Sequence, residues 1–296
     1  EIARRFPPWN VEIFVEGCFN PRAGYVESDR VMEHLLAQAR RQEVQIYDRT
    51  GVAELLVGDG RIRGTRTVDG ERLAAYEVVV AAGAWTPLFF PELHTLMRST
   101  GQPVFYLQPV DQSLFTPPRF VVFSADSSRT GWYGFPLHPR TGLVKIANHG
   151  PGWPVHPNDE VRAVPVLERE RLQAFLAESL PSLAAARLVE ARCCLYCDTL
   201  DGDFLVARHP ERSGLTIAAA DSGHAFKFAP VLGSLIADTV ENASNPYRAR
   251  FGWRTAVTPM AAGEASRYRG ALDSVQERAD FPGSHAIGEH PVTEKG

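Results

Sequence analysis

The chain has 296 residues, 44% of them hydrophobic and 22% charged, and its 31 basic and 35 acidic side chains give a net charge of −4. This balance is typical of a globular protein long enough for two domains or one large one. Without a basic surplus, nucleic acid and anionic membrane surfaces are not expected as partners. The most apolar stretch, 78–90, reaches only about half a membrane span and contains Gly83 and Pro87, so no bilayer crossing is predicted.

The cysteine content indicates the compartment. There are four cysteines, and three of them crowd together at Cys193, Cys194 and Cys197. This is not the spacing of a disulfide framework, so a cytoplasmic location is predicted. The sequence opens on Glu1 and a turn-like segment, from which we expect that an earlier part of the protein precedes it.

The first third of the chain carries α/β signals. Apolar residues at helical spacing predict an amphipathic helix over 28–41, with Ser28 as its N-cap. A run of valines over 76–82 predicts a strand buried on both faces. Three further strands are predicted over 44–47, 52–57 and 61–68. The last two are joined by a hairpin turn at 58–60.

From residue 99 the pattern changes to short strands separated by Pro, Asp, Ser and Gly, which predicts an antiparallel sheet. A helix over 168–180 follows, with one apolar face and a stop at Pro181. A buried strand is predicted over 215–219, then a tight turn and another helix, a geometry that presents backbone N–H groups to a ligand. The composition of 251–296 predicts a disordered tail.

Four groups of residues could carry chemistry, and each has an ordinary alternative. The glycines at 58, 60 and 64 lie between two strands and are interpreted as a hairpin turn, not a phosphate loop. Cys194 and Cys197 could form half a zinc site or a redox pair, but lack partners at ligand spacing, and buried apolar thiols are an equal alternative. The aspartates at 198, 201 and 203 are assigned to turns rather than calcium, so no metal site is predicted.

Two lysines lie in unusual positions. Lys145 shares a strand face with Leu143, and a lysine facing a core is costly unless a wet or ligand-filled cavity receives it; His149 follows four residues later. His224 and Lys227 lie where a strand ends and a helix begins, the crevice at which α/β sheets bind ligands. A lysine in the first turn of a helix opposes the macrodipole, which suits a site for a carboxylate.

Several segments taken together are specific. The most diagnostic is the string S-G-H-x-F-K-F at 222–228, and the others, in matching order, are 24–28, 78–85, 133–136, 142–149 and 194–204. In these segments the chain resembles the monomeric sarcosine oxidase and N-methyltryptophan oxidase group of the FAD-dependent D-amino-acid oxidase (DAO) superfamily. The resemblance covers residues 10–250. It implies a mixed α/β fold with a split, Rossmann-like FAD-binding domain over 1–98 and 188–250, and an antiparallel-sheet substrate domain over 99–187.

The resemblance also implies roles for individual residues. Cys194 matches the cysteine that holds the flavin covalently, and Lys145 matches the lysine that promotes the reaction of reduced flavin with dioxygen. Lys227 matches the residue that pairs with the substrate carboxylate. The remaining matches are substrate-cavity residues (Tyr133, Tyr196), active-site histidines (His149, His224) and positions where the backbone approaches the cofactor (Val52, Ala81, Gly83, Trp85, Gly223, with His224 beside them).

The implied activity is oxidation of a secondary amine or amino acid, with hydride transfer to flavin N5, hydrolysis of the imine and reduction of dioxygen to hydrogen peroxide. The chain departs from the family pattern at Asp221 and Cys197, and it lacks the N-terminal G-x-G-x-x-G segment that binds the ADP half of FAD. We therefore expect a need for that segment or for a partner chain. The alternatives are an inactive fragment, a subunit of a heteromeric flavoprotein, and a related dehydrogenase or amadoriase-like oxidase.

Overall fold

The computed structural model describes residues 1–126 and 130–255. Its helices are α1 (Ile2–Arg5), α2 (Ser28–Arg41), α3 (Thr86–Phe89), α4 (Val166–Ser179), α5 (Pro181–Ala184), α6 (Ala229–Val240) and α7 (Arg248–Phe251). Its strands are β1 (Val52–Gly58), β2 (Arg61–Thr67), β3 (Arg72–Ala74), β4 (Val78–Val80), β5 (Met97–Gln108), β6 (Phe123–Ser124), β7 (Trp132–Phe135), β8 (Val144–Asn148), β9 (Trp153–Pro154), β10 (Arg187–Thr199), β11 (Leu205–Arg208) and β12 (Leu215–Ala219). Short 3₁₀ turns lie at Gly83–Trp85, Pro91–Leu93, Gln112–Phe115 and Ala225–Phe228.

A six-stranded antiparallel sheet organises the middle of the chain. Its order is β10-β5-β8-β7-β6, with β9 also paired to β5. The two long strands β5 and β10 are paired along their length, from Met97 opposite Thr199 to Gln108 opposite Arg187. The predicted antiparallel sheet is therefore confirmed, and β10 joins it from beyond residue 187. The division of the chain into two domains stays a prediction.

One face of this sheet is covered by helix α4. Leu172, Phe175 and Leu176 of the helix are buried together with sheet residues, among them Trp132 and Ile146. The rings of Trp132 and Phe175 stack with centroids 4.9 Å apart. Since alternate residues of a strand point to opposite sides of the sheet, the side chains on the other face of these strands do not contribute to this core.

Two three-stranded sheets complete the fold. The antiparallel sheet β1-β2-β3 contains the predicted hairpin, and Asp59 and Gly60 have the positive φ values of 53° and 67° that a tight two-residue turn requires. In the sheet β11-β12-β4, strand β12 lies antiparallel to β11 and parallel to β4. Residues of this sheet share a second core with Phe90, Met97 and Cys197.

Most predicted elements are confirmed, including α2, β12 and the apolar face of α4. The predicted cap at Ser28 is wrong: Glu27 is the N-cap and makes no side-chain capping bond, because its carboxylate binds Arg140 and His138 instead. The strand predicted over 44–47 does not form. No described strand lies alongside it to complete a ladder of hydrogen bonds.

The strand predicted over 76–82 forms only at Val78–Val80 and is not buried on both faces. Val79 is 40% exposed and Tyr76 is 83% exposed. Among the described strands, β4 has β12 as its one neighbour, so it forms the edge of its sheet.

The predicted tail is wrong for its first residues. Phe251 ends helix α7 and packs its ring on Phe204, with centroids 5.2 Å apart. Arg254 binds both carboxylate oxygens of Asp201 at 2.7 and 2.9 Å. These contacts order 251–255, because a paired guanidinium and a packed ring fix the backbone. The rest of the predicted tail, 256–296, lies outside the described residues.

Candidate active site

The face of the six-stranded sheet opposite α4 carries four of the six predicted catalytic residues and the cysteine predicted to hold the flavin. On β8, Lys145 lies opposite Tyr106 of β5 and Phe135 of β7, and two residues further Ala147 lies opposite Tyr133. Residues directly opposite each other, and residues two apart, share a face. We call this the site face and define it by Tyr106, Tyr133, Lys145, His149, Cys194 and Tyr196.

Contacts across the strands join three of these side chains, Tyr133, Tyr196 and His149. A side-chain hydrogen bond joins Tyr133 and Tyr196. The rings of His149 and Tyr196 have centroids 6.1 Å apart. Burial raises the pKa of the Tyr133 phenol above 10.0, although the hydrogen bond to Tyr196 acts the other way. The phenol therefore stays protonated near neutral pH and can donate a hydrogen bond.

Lys145 is the half-buried cation of the site face. Its Nζ lies 5.0 Å from the centroid of the Phe135 ring. Burial lowers the pKa of its ammonium below 10.5, and the charge of Arg192 acts in the same direction. The predicted conflict between a lysine and an apolar core is thus avoided, because Lys145 points away from helix α4 toward the open side.

Cys194 differs from its neighbours in the direction of its side chain. Cys193 and Cys197 are buried in the two cores, whereas Cys194 is partly exposed on the site face. Burial raises the pKa of the Cys194 thiol above 9.0, while the charge of Lys145 acts to lower it. Burial raises the pKa of Cys197 to about 12. The buried-thiol interpretation is therefore correct for Cys193 and Cys197, and of the three crowded thiols Cys194 is the one that a ligand can reach.

Two turns that follow strands of the sheet β11-β12-β4 approach this part of β10. Gly223 lies so close to Tyr196 that a Cβ on it would stand 2.0 Å from the ring, and His224 follows with its Nδ1 3.1 Å from the Ser222 carbonyl. The turn Gly83–Trp85 packs against β5 and β10, where Ser99 donates a hydrogen bond to the Ala84 carbonyl.

Four of the predicted site residues lie apart from the site face. Lys227 is exposed on the 3₁₀ turn Ala225–Phe228, one turn before α6 rather than inside it, with Nζ 5.5 Å from the centroid of the Phe228 ring. The macrodipole argument made for it is therefore wrong. Val52 begins strand β1 of a separate sheet, while Ala81 and Trp85 flank the turn after β4 and are exposed.

Sequence reasoning missed two residues near the site face. Tyr106 lies opposite Lys145, and the guanidinium of Arg192 lies 5.4 Å from the centroid of the Tyr106 ring. Burial raises the pKa of the Tyr106 phenol. Only the pairing of β5 with β8 and β10 could have revealed them, because neither belongs to a recognisable motif.

The acidic cluster that suggested calcium has other duties. Asp201 pairs with Arg254, Asp203 with Arg250, and buried Asp198 accepts a hydrogen bond from Thr100. Asp201 also accepts from the Asp203 N–H at 3.1 Å, as a turn residue does. Within 1–126 and 130–255 no group of acidic, histidine or cysteine side chains has the arrangement of a metal site. In the same ranges no helix combines the length and apolarity needed to cross a bilayer.

The class of protein is shown by the sequence comparison, which places the chain in a family of FAD-dependent oxidoreductases. The pattern of the family DAO, FAD dependent oxidoreductase, matches residues 1–239, and the chain belongs to this family. The predicted fold class and family are thereby confirmed.

Individual relatives show which members of the family the chain resembles. The chain is 29% identical to monomeric sarcosine oxidase of Streptomyces avermitilis over 80% of its own length and 62% of that protein. It is 26% identical to N-methyl-L-tryptophan oxidase of Escherichia coli, covering 83% of this chain and 64% of that one. Among solved structures, amadoriase I of Aspergillus fumigatus superposes with a TM-score of 0.68 at 26% identity, covering 78% of this chain and 55% of that one. The chain thus spans about 60% of the length of the first curated relatives.

The residues present fit a flavin. A thiol, a cation and three phenols lie on the site face, which suits a flat heteroaromatic ring with polar edges. At Gly83, φ is +51° and a Cβ would meet no atom within 4 Å, so the backbone there is open to close approach. We assign FAD as the cofactor of the family to which the chain belongs.

Proposed function

We propose that this chain forms the substrate- and flavin-facing part of an FAD-dependent oxidase of secondary amines or amino acids. The observation that carries the proposal is the shared site face, where Tyr133 of β7, Lys145 of β8, His149 directly after β8, and Cys194 and Tyr196 of β10 come together from three strands of one sheet. When bound, the flavin supplies the acceptor for a hydride from the carbon beside the amine nitrogen, and passes the electrons to dioxygen to give hydrogen peroxide. The imine product then hydrolyses in water.

The chain's residues bind and orient the substrate. The linked phenols of Tyr133 and Tyr196 form a wall that can donate a hydrogen bond to a neutral amine, and His149 packs beside them. His224 approaches from the neighbouring turn. For the substrate carboxylate we retain Lys227, which the family resemblance suggests; its exposed ammonium lies apart from the site face, on the 3₁₀ turn Ala225–Phe228 that follows His224. Holding the amine at a fixed angle lowers the entropy cost of reaching the transition state.

Lys145 is assigned to the oxygen half of the reaction. Negative charge develops on dioxygen as it accepts the first electron. A fixed ammonium in a half-buried, apolar setting stabilises that charge more than water does.

We propose that Cys194 holds the flavin covalently through Sγ, while Val52, Ala81, Gly83, Trp85, Gly223 and His224 line its binding site. The support is that Cys194 alone of the three crowded thiols opens onto the site face. The test is flavin fluorescence of the protein band in a denaturing gel. Wild type and Cys193→Ser should both fluoresce and Cys194→Ser should not. The three proteins are prepared together with the dinucleotide-binding segment proposed below. Equal fluorescence of all three, or a dark wild-type band, contradicts covalent attachment through Cys194.

Oxygen consumption tests the reaction itself. Protein saturated with FAD is supplied with sarcosine, other N-methyl amino acids, pipecolate or glycated amino acids, and peroxide is measured. Turnover of the first three supports the proposal. Preference for glycated amino acids supports the amadoriase-like alternative, which the superposition on amadoriase I favours. Turnover only with an artificial acceptor identifies a dehydrogenase instead, and no turnover by any route contradicts the proposal.

We further propose that FAD binding requires a dinucleotide-binding segment from outside these 296 residues, supplied by preceding sequence or by a partner chain. The support is that G-x-G-x-x-G does not occur in the sequence. Comparing FAD affinity with and without such a segment tests this. We keep the two-domain division at 98/99 and 187/188 and the cytoplasmic location as proposals, the latter because all four cysteines are unpaired.

A further inference from the structure

The turn that carries Gly223 and His224 is conformationally strained. Ala220, Ser222 and Gly223 have φ values of 64°, 44° and 73°. Residues with a Cβ avoid this left-handed region unless the surrounding structure holds them there. The turn therefore requires an external restraint.

Strand β10 supplies that restraint through Asp221. One carboxylate oxygen of Asp221 accepts a hydrogen bond from the Cys197 N–H at 2.8 Å, and the other accepts from the Gly223 N–H at 3.3 Å. The Ser222 N–H donates to the Cys197 carbonyl at 3.0 Å. The Ser222 hydroxyl accepts from the Thr199 N–H at 3.2 Å. The turn is thus tied to β10 at two successive residues.

This attachment of the turn to β10 lies directly beside Tyr196, one of the two linked phenols of the site face. Cys197 is the neighbour of Tyr196, so the bond to Asp221 fixes the backbone next to that side chain. Gly223, whose N–H binds the second oxygen of the Asp221 carboxylate, lies against the Tyr196 ring in a space too small for a Cβ. The His224 N–H also donates to the Asp221 carbonyl at 2.9 Å. A single aspartate therefore connects the backbone positions that set Tyr196 and His224.

We propose that Asp221 is a positioning residue, which holds the strained turn against β10 and so fixes the Tyr196 ring and His224 for substrate binding. The inference rests on the proposed amine oxidation for its kinetic consequence. Its structural part concerns this chain alone. A carboxylate suits the task, because it accepts two backbone hydrogen bonds at once and charge-assisted bonds are the stronger kind.

The first measurement does not depend on activity. The full chain is labelled with 3-fluorotyrosine, and the Tyr196 fluorine resonance is assigned with Tyr196→Phe. Asp221→Ala should shift or broaden that resonance and speed amide exchange at Cys197 and Gly223 about tenfold or more, the loss expected for one charge-assisted hydrogen bond. The matched control is Asp201→Asn, which breaks the pairing with Arg254 and should leave the resonance unchanged. An unchanged resonance in Asp221→Ala overturns the proposal.

The second measurement is a double-mutant cycle on oxidation of the best amine substrate. Asp221→Ala should lower kcat/KM about ten- to a hundredfold, and Asp221→Asn, which keeps one acceptor oxygen, should restore part of the loss. In the Tyr196→Phe background the effect of Asp221→Ala should shrink, because the two residues act together. Full additivity overturns the proposal. A wild-type protein that oxidises no amine contradicts the proposed function, while the fluorine and exchange results still decide the role of Asp221.

Discussion

Replacing Gly223 with alanine places a methyl group where the Tyr196 ring lies. The added Cβ would stand 2.0 Å from Cε2 and 2.5 Å from Cζ of that ring, and φ at this position is +73°. Two costs follow. The left-handed backbone costs an L side chain about 1–2 kcal/mol, and displacing the packed ring costs about 1–3 kcal/mol. We expect the free energy of unfolding to fall by about 2–5 kcal/mol.

Gly70→Ala is the matched control. Gly70 has φ +88°, but a Cβ there would meet nothing within 4 Å. The free energy of unfolding of Gly70→Ala should therefore fall only by the cost of the left-handed backbone, about 1–2 kcal/mol. Urea unfolding of both variants without FAD, followed by far-UV circular dichroism, gives the two values, and equal slopes with denaturant keep them comparable. Equal destabilisation of the two variants would refute the close packing of Tyr196 on the turn.

Three further predictions concern the sheet core, the sheet β11-β12-β4 and the site face. Phe175→Ala should destabilise the protein by about 3–5 kcal/mol, since its ring is buried, whereas Leu167→Ala on the exposed side of α4 should have little effect in the same urea titration. Although burial raises the pKa of Glu92, the hydrogen bond from His209 keeps it below 4.5, so the carboxylate stabilises the fold above that pH. This contribution is lost as the pH falls through the lowered value, so thermal melting of wild type should decline more steeply with acid than that of Glu92→Gln. Because burial lowers the pKa of Lys145 below 10.5, reoxidation of the reduced flavin in stopped flow should slow as the pH rises through that lowered value, and Lys145→Met should be slow at every pH.

Local patterns predicted most of the elements. The apolar spacing of 168–180 identified α4, and the turn residues Asp59 and Gly60 identified the hairpin, because both signals arise within a few residues. The strand over 44–47 and the full burial of 76–82 were not predictable in this way. Both depend on which strands lie alongside, and this is set by distant parts of the chain.

The candidate site, too, was predictable from local patterns only in part. The S-G-H-x-F-K-F string and the crowded cysteines pointed to the correct family. Which cysteine is accessible was not decided by their spacing, because adjacent residues of a strand face opposite sides and the register alone determines which side is covered by α4. Tyr106 and Arg192 were missed for the same reason.

The sequence by itself determined the family, the amphipathic helices and the turns, since these follow from residue type and short-range periodicity. The tertiary structure decided which side chains of this 296-residue chain, ordinary in composition, lie together and which face of a sheet they occupy. Pairing of β10 with β5 directs Cys194 to the open face and Cys193 to the core. A strained turn fixed by Asp221 brings Gly223 against Tyr196. Such contacts join residues far apart along the chain, and no local pattern encodes them.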